Sequence, residues 1–337
     1  MEKDNREVIF EIKNLQTWFP IKKGFMKKTV GHVKAVDDVS MKVYKGETLG
    51  IVGESGCGKS TFGKSIMCLE KPTGGQVLFN YGGEFKDITK FNKEEMFEFR
   101  KKVQMVFQDP YSALNPKKKI YTSFEEPLKV HGISSEQERE KMMNEVLKMV
   151  NIQPDYLMRY PHEFSGGQRQ RLCIARALEV HPEVLVCDEP VSALDVSIQA
   201  QVLNLMKEIQ KDMNLTYLFI AHDLSVVQYM SDRIVVMYLG KVVEIADSKA
   251  LYDEPLHPYT QALLSAIPVP DIHQTKKRQV LEGEVPSPIN KPTGCAFHNR
   301  CPKCMDICKK EDPALYSYDG KDHCVACHLY RKNGGNA

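Results

Sequence analysis

The stretch GESGCGKST, residues 53–61, decides how this chain is read. It meets the pattern G-x-x-x-x-G-K-[ST] through Gly53, Gly58, Lys59 and Ser60, and it follows the apolar run TLGIV, residues 48–52, whose composition predicts a buried strand. Strand, glycine loop and helix in that order make a cradle for phosphate. The glycines let backbone N–H groups converge on phosphate oxygens, and the helix that follows adds its positive N-terminal end. Lys59 reaches β- and γ-phosphates and Ser60 offers a hydroxyl to Mg2+. The candidate nucleotide-binding residues of the loop are Gly53, Glu54, Ser55, Gly56, Cys57, Gly58, Lys59, Ser60 and Thr61. A flexible turn can match the same pattern, so the loop alone implies nucleoside triphosphate binding and nothing finer.

Cys57 has two readings. A thiol near a helix N-terminus can have a lowered pKa and be open to modification, or the residue is a tolerated small side chain whose backbone N–H is what matters.

Working outward, 337 residues are enough for one large α/β core and one smaller unit. The formal charge of +2 with 27% charged residues lacks the basic excess of a nucleic-acid binder, so no nucleic-acid partner is expected. No run of eighteen apolar residues appears, and the start, MEKDNREVIFEIKN, is charged where a signal peptide would be apolar; a cytosolic polypeptide is expected. Of the ten cysteines, Cys57, Cys68, Cys173 and Cys187 are scattered, whereas six crowd into residues 295–327. In a cytosolic chain such clustering favours a metal site over disulfides.

Short alternating runs, VIFEIKNLQTWF and VKAVDDVSMKVYKGETLGIVG, predict strands leading into the loop, with a helix from about Lys59. Residues 110–178 read as a helical insertion, with Ser134 or Ser135 capping ISSEQEREKMMNEVLKMV. Strand character returns at VLVCDEP and LTYLFIAHD around the amphipathic VSIQAQVLNLMKEIQKDM. Strand, crossover helix, strand is the signature of a parallel sheet. RIVVMYLGKVVEIA predicts a hairpin turning at Gly240, and LHPYTQALLSAIP opens a Pro-rich stretch, to about residue 293, that reads as a linker.

VLVCDEP ends four apolar strand residues in two carboxylates. Asp188 is placed to hold Mg2+, directly or through water, and Glu189 to polarise the water that attacks the γ-phosphate. In FSGGQRQRLCIARAL two glycines precede a strong helical run, so free N–H groups beside Ser165 form a second anion site, although S-G-G is also an ordinary turn and cap.

With these elements in order, the sequence strongly resembles the ATP-binding subunits of ABC transporters over about residues 8–260. Phe164-Ser165-Gly166-Gly167-Gln168 matches the LSGGQ signature apart from its first residue. The resemblance implies that Gln108 in VFQDP is the Q-loop glutamine, that Asp195 in SALD belongs to the D-loop, and that His222 in FIAHD is the switch histidine. It implies catalytic roles for Glu189, His222 and Gln108, contact of the neutral Gln108 amide with Mg2+ or the attacking water, and stacking of adenine on Phe19 or, less favourably placed, Trp18. It also implies the fold: an α/β P-loop NTPase core with a mainly parallel sheet, an N-terminal antiparallel β subdomain, an inserted helical subdomain and a small Cys-rich extension. The expected division is an ATPase domain at 8–256 and an extension at 257–330. One phosphate loop and one signature per chain imply a two-subunit sandwich, with Ser165, Gly166, Gly167 and Gln168 acting on the nucleotide of the mate.

The flanking stretches QDPYSALNP, RYPHEF, HPYTQALLSAIP and GCAFHNRCP resemble the oligopeptide and dipeptide permease ATPases, in particular the F-type subunit of a D/F pair. That implies ATP hydrolysis for an importer on the cytoplasmic face of the membrane, with a D-type second ATPase, two transmembrane permease subunits and an extracytoplasmic peptide-binding protein as partners. Nickel and other small-solute importers use similar ATPases. Rival readings are a soluble ABC ATPase of translation or DNA repair, which usually carries two cassettes or a long coiled-coil insertion, and a metal-binding regulatory protein that only binds ATP.

Soft thiolates at short spacing, with His298, His323 and His328 nearby, suit an iron-sulfur cluster or Zn2+. The family pattern maps onto Cys295, Cys301, Cys308 and Cys327 and implies a [4Fe-4S] cluster. Cys304 and Cys324 depart from it, and Cys301-x2-Cys304 with Cys324-x2-Cys327 also has the spacing of a zinc site.

Overall fold

A computed structural model describes residues 6–24, 27–267, 281, 283–318 and 322–331. Among these, twelve strands run in chain order: β1 (Val8–Lys23), β2 (Lys28–Tyr44), β3 (Thr48–Val52), β4 (Gly74–Tyr81), β5 (Glu84–Asp87), β6 (Val103–Val106), β7 (Val184–Asp188), β8 (Thr216–Ile220), β9 (Arg233–Tyr238), β10 (Lys241–Asp247), β11 (Tyr316–Ser317) and β12 (Cys324–Val325). The chain divides into two compact units. One comprises Tyr44–Thr48 and Lys90–Ala221; the other comprises Glu7–Val43, Leu49–Thr89 and the described residues from His222 onward.

The first unit holds the parallel strands β6, β7 and β8, with Val103 opposite Val184 and Asp188 opposite Ile220. Every residue of β7 and β8 is buried, and uninterrupted apolar composition is what a parallel strand covered on both faces requires. Between them runs the helix Val196–Met213, which turns Val202, Leu203, Leu205, Met206 and Ile209 inward. Each such side chain contributes about 1.5–3 kcal/mol on full burial, which outweighs the ordering of a single helical residue. Asn214, left-handed at φ 51°, stops that helix. From Pro110 to Leu178 the described residues form helices and no strand. Ser135 caps the helix Glu136–Met149, its hydroxyl accepting the Glu138 N–H.

In the second unit an antiparallel sheet has the order β2-β1-β4-β5, with Phe10 opposite Phe79. Separately, β3 lies parallel to β9, and β9 and β10 form the hairpin expected at Gly240. Leu239 and Gly240 have φ 45° and 77°, the two successive left-handed residues that match a tight turn to strand twist. β12 adds to β10 and β11 to β12, so the C-terminal residues extend this unit's own sheet.

One expectation needs correction. The stretch read as a linker from LHPYTQALLSAIP begins as the helix Pro258–Ser265, with Tyr259 fully buried. Proline is favoured at the first helical position, where its missing N–H would have had no intrahelical partner. Residues 268–280, also within that expected linker, lie outside the described residues.

Candidate functional site

The phosphate loop connects the buried strand β3 to the helix Lys59–Ile66 within the second unit. Gly58 caps the helix at φ 107°, a conformation costly for any L side chain, and a Cβ there would stand 2.0 Å from the Ala35 carbonyl oxygen. At Gly53 a Cβ would meet the Met237 carbonyl oxygen at 2.2 Å. The loop is further tied down by the Gly240 N–H, which donates to the Cys57 carbonyl at 2.7 Å. Lys59 is buried, and its ammonium donates to the carbonyls of Gly53 at 2.8 Å and Glu54 at 3.1 Å, which holds the charge within the loop. A rigid turn with an enclosed lysine at the N-terminus of a helix is suited to a polyphosphate. Burial pushes the Cys57 thiol up despite the neighbouring Lys59, which disfavours the reading of Cys57 as an activated thiol.

Phe19, on β1 of the same unit, is 37% exposed. Trp18 points the other way, with the Lys34 ammonium 4.2 Å from its ring centroid and the His32 ring at 6.2 Å. Of the two candidate aromatics, Phe19 presents the ring that is open for stacking. His222, the first residue of this unit after Ala221, is exposed, and Asp223 behind it caps the helix Leu224–Met230.

In the first unit, the structure brings Gln108 and Glu189 together. The Gln108 side-chain amide donates to Glu189 Oε2 at 2.9 Å across 81 residues of sequence. Asp188 ends β7 almost wholly buried, and Glu189 follows at φ 48°. A glutamate in the left-handed region is costly, and residues so strained cluster at functional sites. Its backbone is secured by an N–H bond to the Ile220 carbonyl, and its carbonyl accepts from the Ser192 hydroxyl at 3.1 Å.

The signature residues form a reciprocal helix cap. Ser165 Oγ accepts the Gln168 N–H at 3.3 Å, and the Gln168 side chain accepts the Ser165 N–H at 3.0 Å. The serine and glutamine of the motif are thus preset by the helix Gly166–Leu178. Gly167 is confined by packing, since a Cβ there would lie 2.5 Å from Ile198 Cγ2. Asp195 occupies the N-cap position of the helix Val196–Met213 without a side-chain capping bond.

Two buried aromatics and an arginine beside the phosphate loop escaped sequence reasoning. Tyr259 accepts the Glu54 N–H through its hydroxyl, and Arg300 is bidentate on the Glu54 carboxylate. Phe297 packs against Tyr238 and Tyr259, with ring centroids 5.3 and 5.4 Å away. A buried tyrosine within HPYTQAL was the one available signal, because Arg300 lies 246 residues from its partner.

The cysteine expectation receives no direct support. Among the described residues, no three His, Cys, Asp or Glu side chains are gathered closely enough to hold a metal ion. No disulfide joins any of the ten cysteines. Cys324 is taken into β12 opposite Ile245, and Cys304 donates weakly to the Met305 carbonyl. Burial pushes the Cys295 thiol up to about 12 and that of Cys327 up to about 11. The electrostatic neighbours of Cys295 are Cys308, Cys327 and Cys301, while Cys327 senses Cys301 and Cys308. Backbone N–H groups two residues on, from Phe297, Lys303 and Leu329, donate to the sulfurs of Cys295, Cys301 and Cys327, but burial outweighs them and holds all three thiols above the usual range.

Comparison with known proteins completes the assignment. Residues 36–192 match the family model described as ABC transporter, and residues 243–308 match that of the oligopeptide/dipeptide transporter C-terminal region. The oligopeptide transport ATP-binding protein AppF of Bacillus subtilis (strain 168) is 54% identical, covering 97% of this chain and 98% of that protein. OppF of Salmonella typhimurium, also an oligopeptide transport ATP-binding protein, is 48% identical over 96% of this chain and 97% of its own. Among solved structures, a dimeric post-hydrolysis state of the ATP-binding cassette MJ0796 bound to ADP and Pi is 30% identical. It superposes with a TM-score of 0.61 over 71% of this chain and 99% of that chain. The cbiO1 protein of Clostridium perfringens, part of the ABC transporter complex cbiONQ, gives a TM-score of 0.62 at 27% identity, over 74% of this chain and 92% of that one. With identity near one half along nearly the full length of both chains, and with its phosphate loop, acidic strand end and signature cap in the order the family requires, this chain belongs to the ATP-binding subunits of ABC transporters, in the oligopeptide/dipeptide branch.

Proposed function

We propose that the chain is the ATP-hydrolysing subunit that powers oligopeptide uptake through a membrane permease. The observation that carries the catalytic part of this reading is the Gln108–Glu189 contact at 2.9 Å, made at the end of a buried strand by a glutamate held in a strained backbone. Glu189 orients the attacking water and accepts its proton as the γ-phosphate is displaced in line. Gln108 fixes the carboxylate and adds no charge of its own. Lys59 and the loop N–H groups bind β- and γ-phosphate oxygens, Phe19 stacks on adenine, and His222 donates to the γ-phosphate. Ser60 and Asp188 would hold Mg2+, which when bound neutralises charge on the transferring phosphoryl group.

The Ser165 oxygen and the Gln168 side chain accept hydrogen bonds within their own helix cap, so what the signature offers a nucleotide is the N-terminal turn at Gly166 and Gly167 and the donor O–H of Ser165. This supports action on a nucleotide held by a second ATPase subunit, a D-type mate, with two permease subunits and an extracytoplasmic peptide-binding protein completing the importer. No helix among the described residues is long and apolar enough to cross a membrane, so membrane association at the cytoplasmic face would come through those subunits. The relatives reported above are oligopeptide transport proteins, which favours peptides over nickel as the solute. In the same reading Cys295, Cys301, Cys308 and Cys327 would hold a [4Fe-4S] cluster, which when bound would contribute folding free energy to the C-terminal segment. Anaerobic purification with absorption spectroscopy and iron and zinc analysis tests that part, and a colourless, metal-free yet folded protein refutes it.

The test of the main reading is Glu189→Gln. With ATP and the partner ATPase present, the variant should form a stable nucleotide-bound dimer while turnover falls by at least about a hundredfold, the scale of losing a general base. A strictly monomeric variant in sedimentation refutes the shared-site reading.

A further inference from the structure

The C-terminal segment grips the phosphate loop at one residue, Glu54. Arg300 Nη1 donates to Glu54 Oε2 at 2.9 Å and Nη2 to Oε1 at 3.2 Å, with the arginine side chain only 8% exposed. The Glu54 N–H donates to the Tyr259 hydroxyl at 2.9 Å, and the Glu54 carbonyl accepts from Lys59 at 3.1 Å. Both backbone polar groups and the carboxylate of one loop residue are therefore engaged. Arg300 and Tyr259 come from beyond residue 256, Lys59 is the loop's own lysine, and the Cys57 N–H also donates to the Glu54 carbonyl at 3.2 Å.

This arrangement answers an electrostatic problem. A loop built to receive a polyphosphate carries a carboxylate one residue after its first glycine, and like charges repel strongly where water is partly excluded. A planar guanidinium that meets the carboxylate through two parallel hydrogen bonds both cancels the charge and fixes its direction, which a lysine cannot do. Tyr259 in turn is packed 4.7 Å from Tyr238, so the restraint on the Glu54 N–H is rigid.

We propose that Arg300 is a positioning residue for ATP: by pinning and neutralising Glu54 it sets the nucleotide affinity of the phosphate loop from the C-terminal segment. The inference rests on the ATPase reading above. It predicts a specific pattern in the assembled transporter. Arg300→Met raises KM for MgATP by about tenfold, the scale of one charge-assisted hydrogen bond, with kcat within about twofold of the parent. Arg300→Lys, which keeps the charge and loses the fork, falls between the two. Adding Glu54→Gln to Arg300→Met brings KM back to within about threefold of the parent, because the unopposed charge is gone.

A purely structural tether would behave differently: loss of Arg300 would then lower the melting temperature and leave KM for MgATP of the folded complex unchanged, because removing one partner of an enclosed pair costs stability whatever the loop binds. Far-UV circular dichroism and a melting curve of each variant identify misfolding, and rescue by Glu54→Gln keeps the test decisive if Arg300→Met is destabilised. An unchanged KM in Arg300→Met, or failure of Glu54→Gln to lower it, overturns the inference. Absence of ATP turnover in the unsubstituted complex would overturn the underlying reading instead.

Discussion

Acid should loosen the C-terminal support of the phosphate loop through a single imidazole. His257 is 1% exposed and caps the helix Pro258–Ser265: its Nδ1 accepts the Tyr259 N–H at 3.1 Å, and its own backbone N–H donates to Glu244 at 2.9 Å. An accepting Nδ1 requires the neutral ring with its proton on Nε2. Burial lowers the His257 pKa from 6.5 to about 4, against the opposing pull of Glu244. The sign follows directly. The unfolded chain takes up a proton as pH falls below about 6.5, and the folded chain does not do so until about 4, so the contribution to stability is complete above the first value and lost toward the second. The slope is at most about 1.4 kcal/mol per pH unit, which amounts to about 3 kcal/mol over the window. His257→Asn keeps an oxygen acceptor at the cap and removes the titration. In urea unfolding, the parent should lose about 2–3 kcal/mol more than the variant between about pH 7 and about pH 4.5. Parallel stability curves for the two proteins would refute the argument.

Two further outcomes bear on the nucleotide site. Gly58→Ala forces a Cβ to within 2.0 Å of the Ala35 carbonyl, so the loop must shift by about 1 Å, and equilibrium ATP binding should weaken by about a hundredfold. Gly82→Ala has a similar left-handed backbone but nothing within 4 Å, so it should leave binding unchanged and cost only about 1 kcal/mol of stability. Binding by the Gly58 variant within threefold of the parent would contradict the steric argument. Gln108→Ala removes the bond to Glu189 and should lower kcat by about tenfold while leaving ATP affinity intact, as read by steady-state turnover beside direct binding.

What could be read from the chain beforehand was whatever is local. The phosphate loop is nine consecutive residues between a strand and a helix, and β7 announces itself as an apolar run ending in Asp188 and Glu189, because burial on both faces leaves no polar alternation to confuse it. The hairpin at Gly240 and the cap at Ser135 follow from residue chemistry within a few positions. The capping box at Ser165 and Gln168 is equally local, as S-x-x-Q before a helical run, and agrees with the cap that the S-G-G stretch allows beside an anion site. What escaped was contact between residues far apart in the chain. The Pro-rich composition from LHPYTQALLSAIP onward suggests a linker, although Pro258 is harmless at a helix start and the decisive feature is Tyr259 buried beneath the phosphate loop. Nothing in the composition around Arg300 distinguishes it from a solvated arginine until Glu54, 246 residues away, is seen between its two nitrogens. That separation makes a physical point about the C-terminal segment. An ion pair joining two surface loops would contribute little, whereas one that is largely enclosed and bidentate destabilises the protein when either partner is removed alone. The segment is therefore bound to the nucleotide site more tightly than its position at the end of the chain suggests, and changes that disturb residues 295–301 should be felt first in ATP binding and only then in the fold.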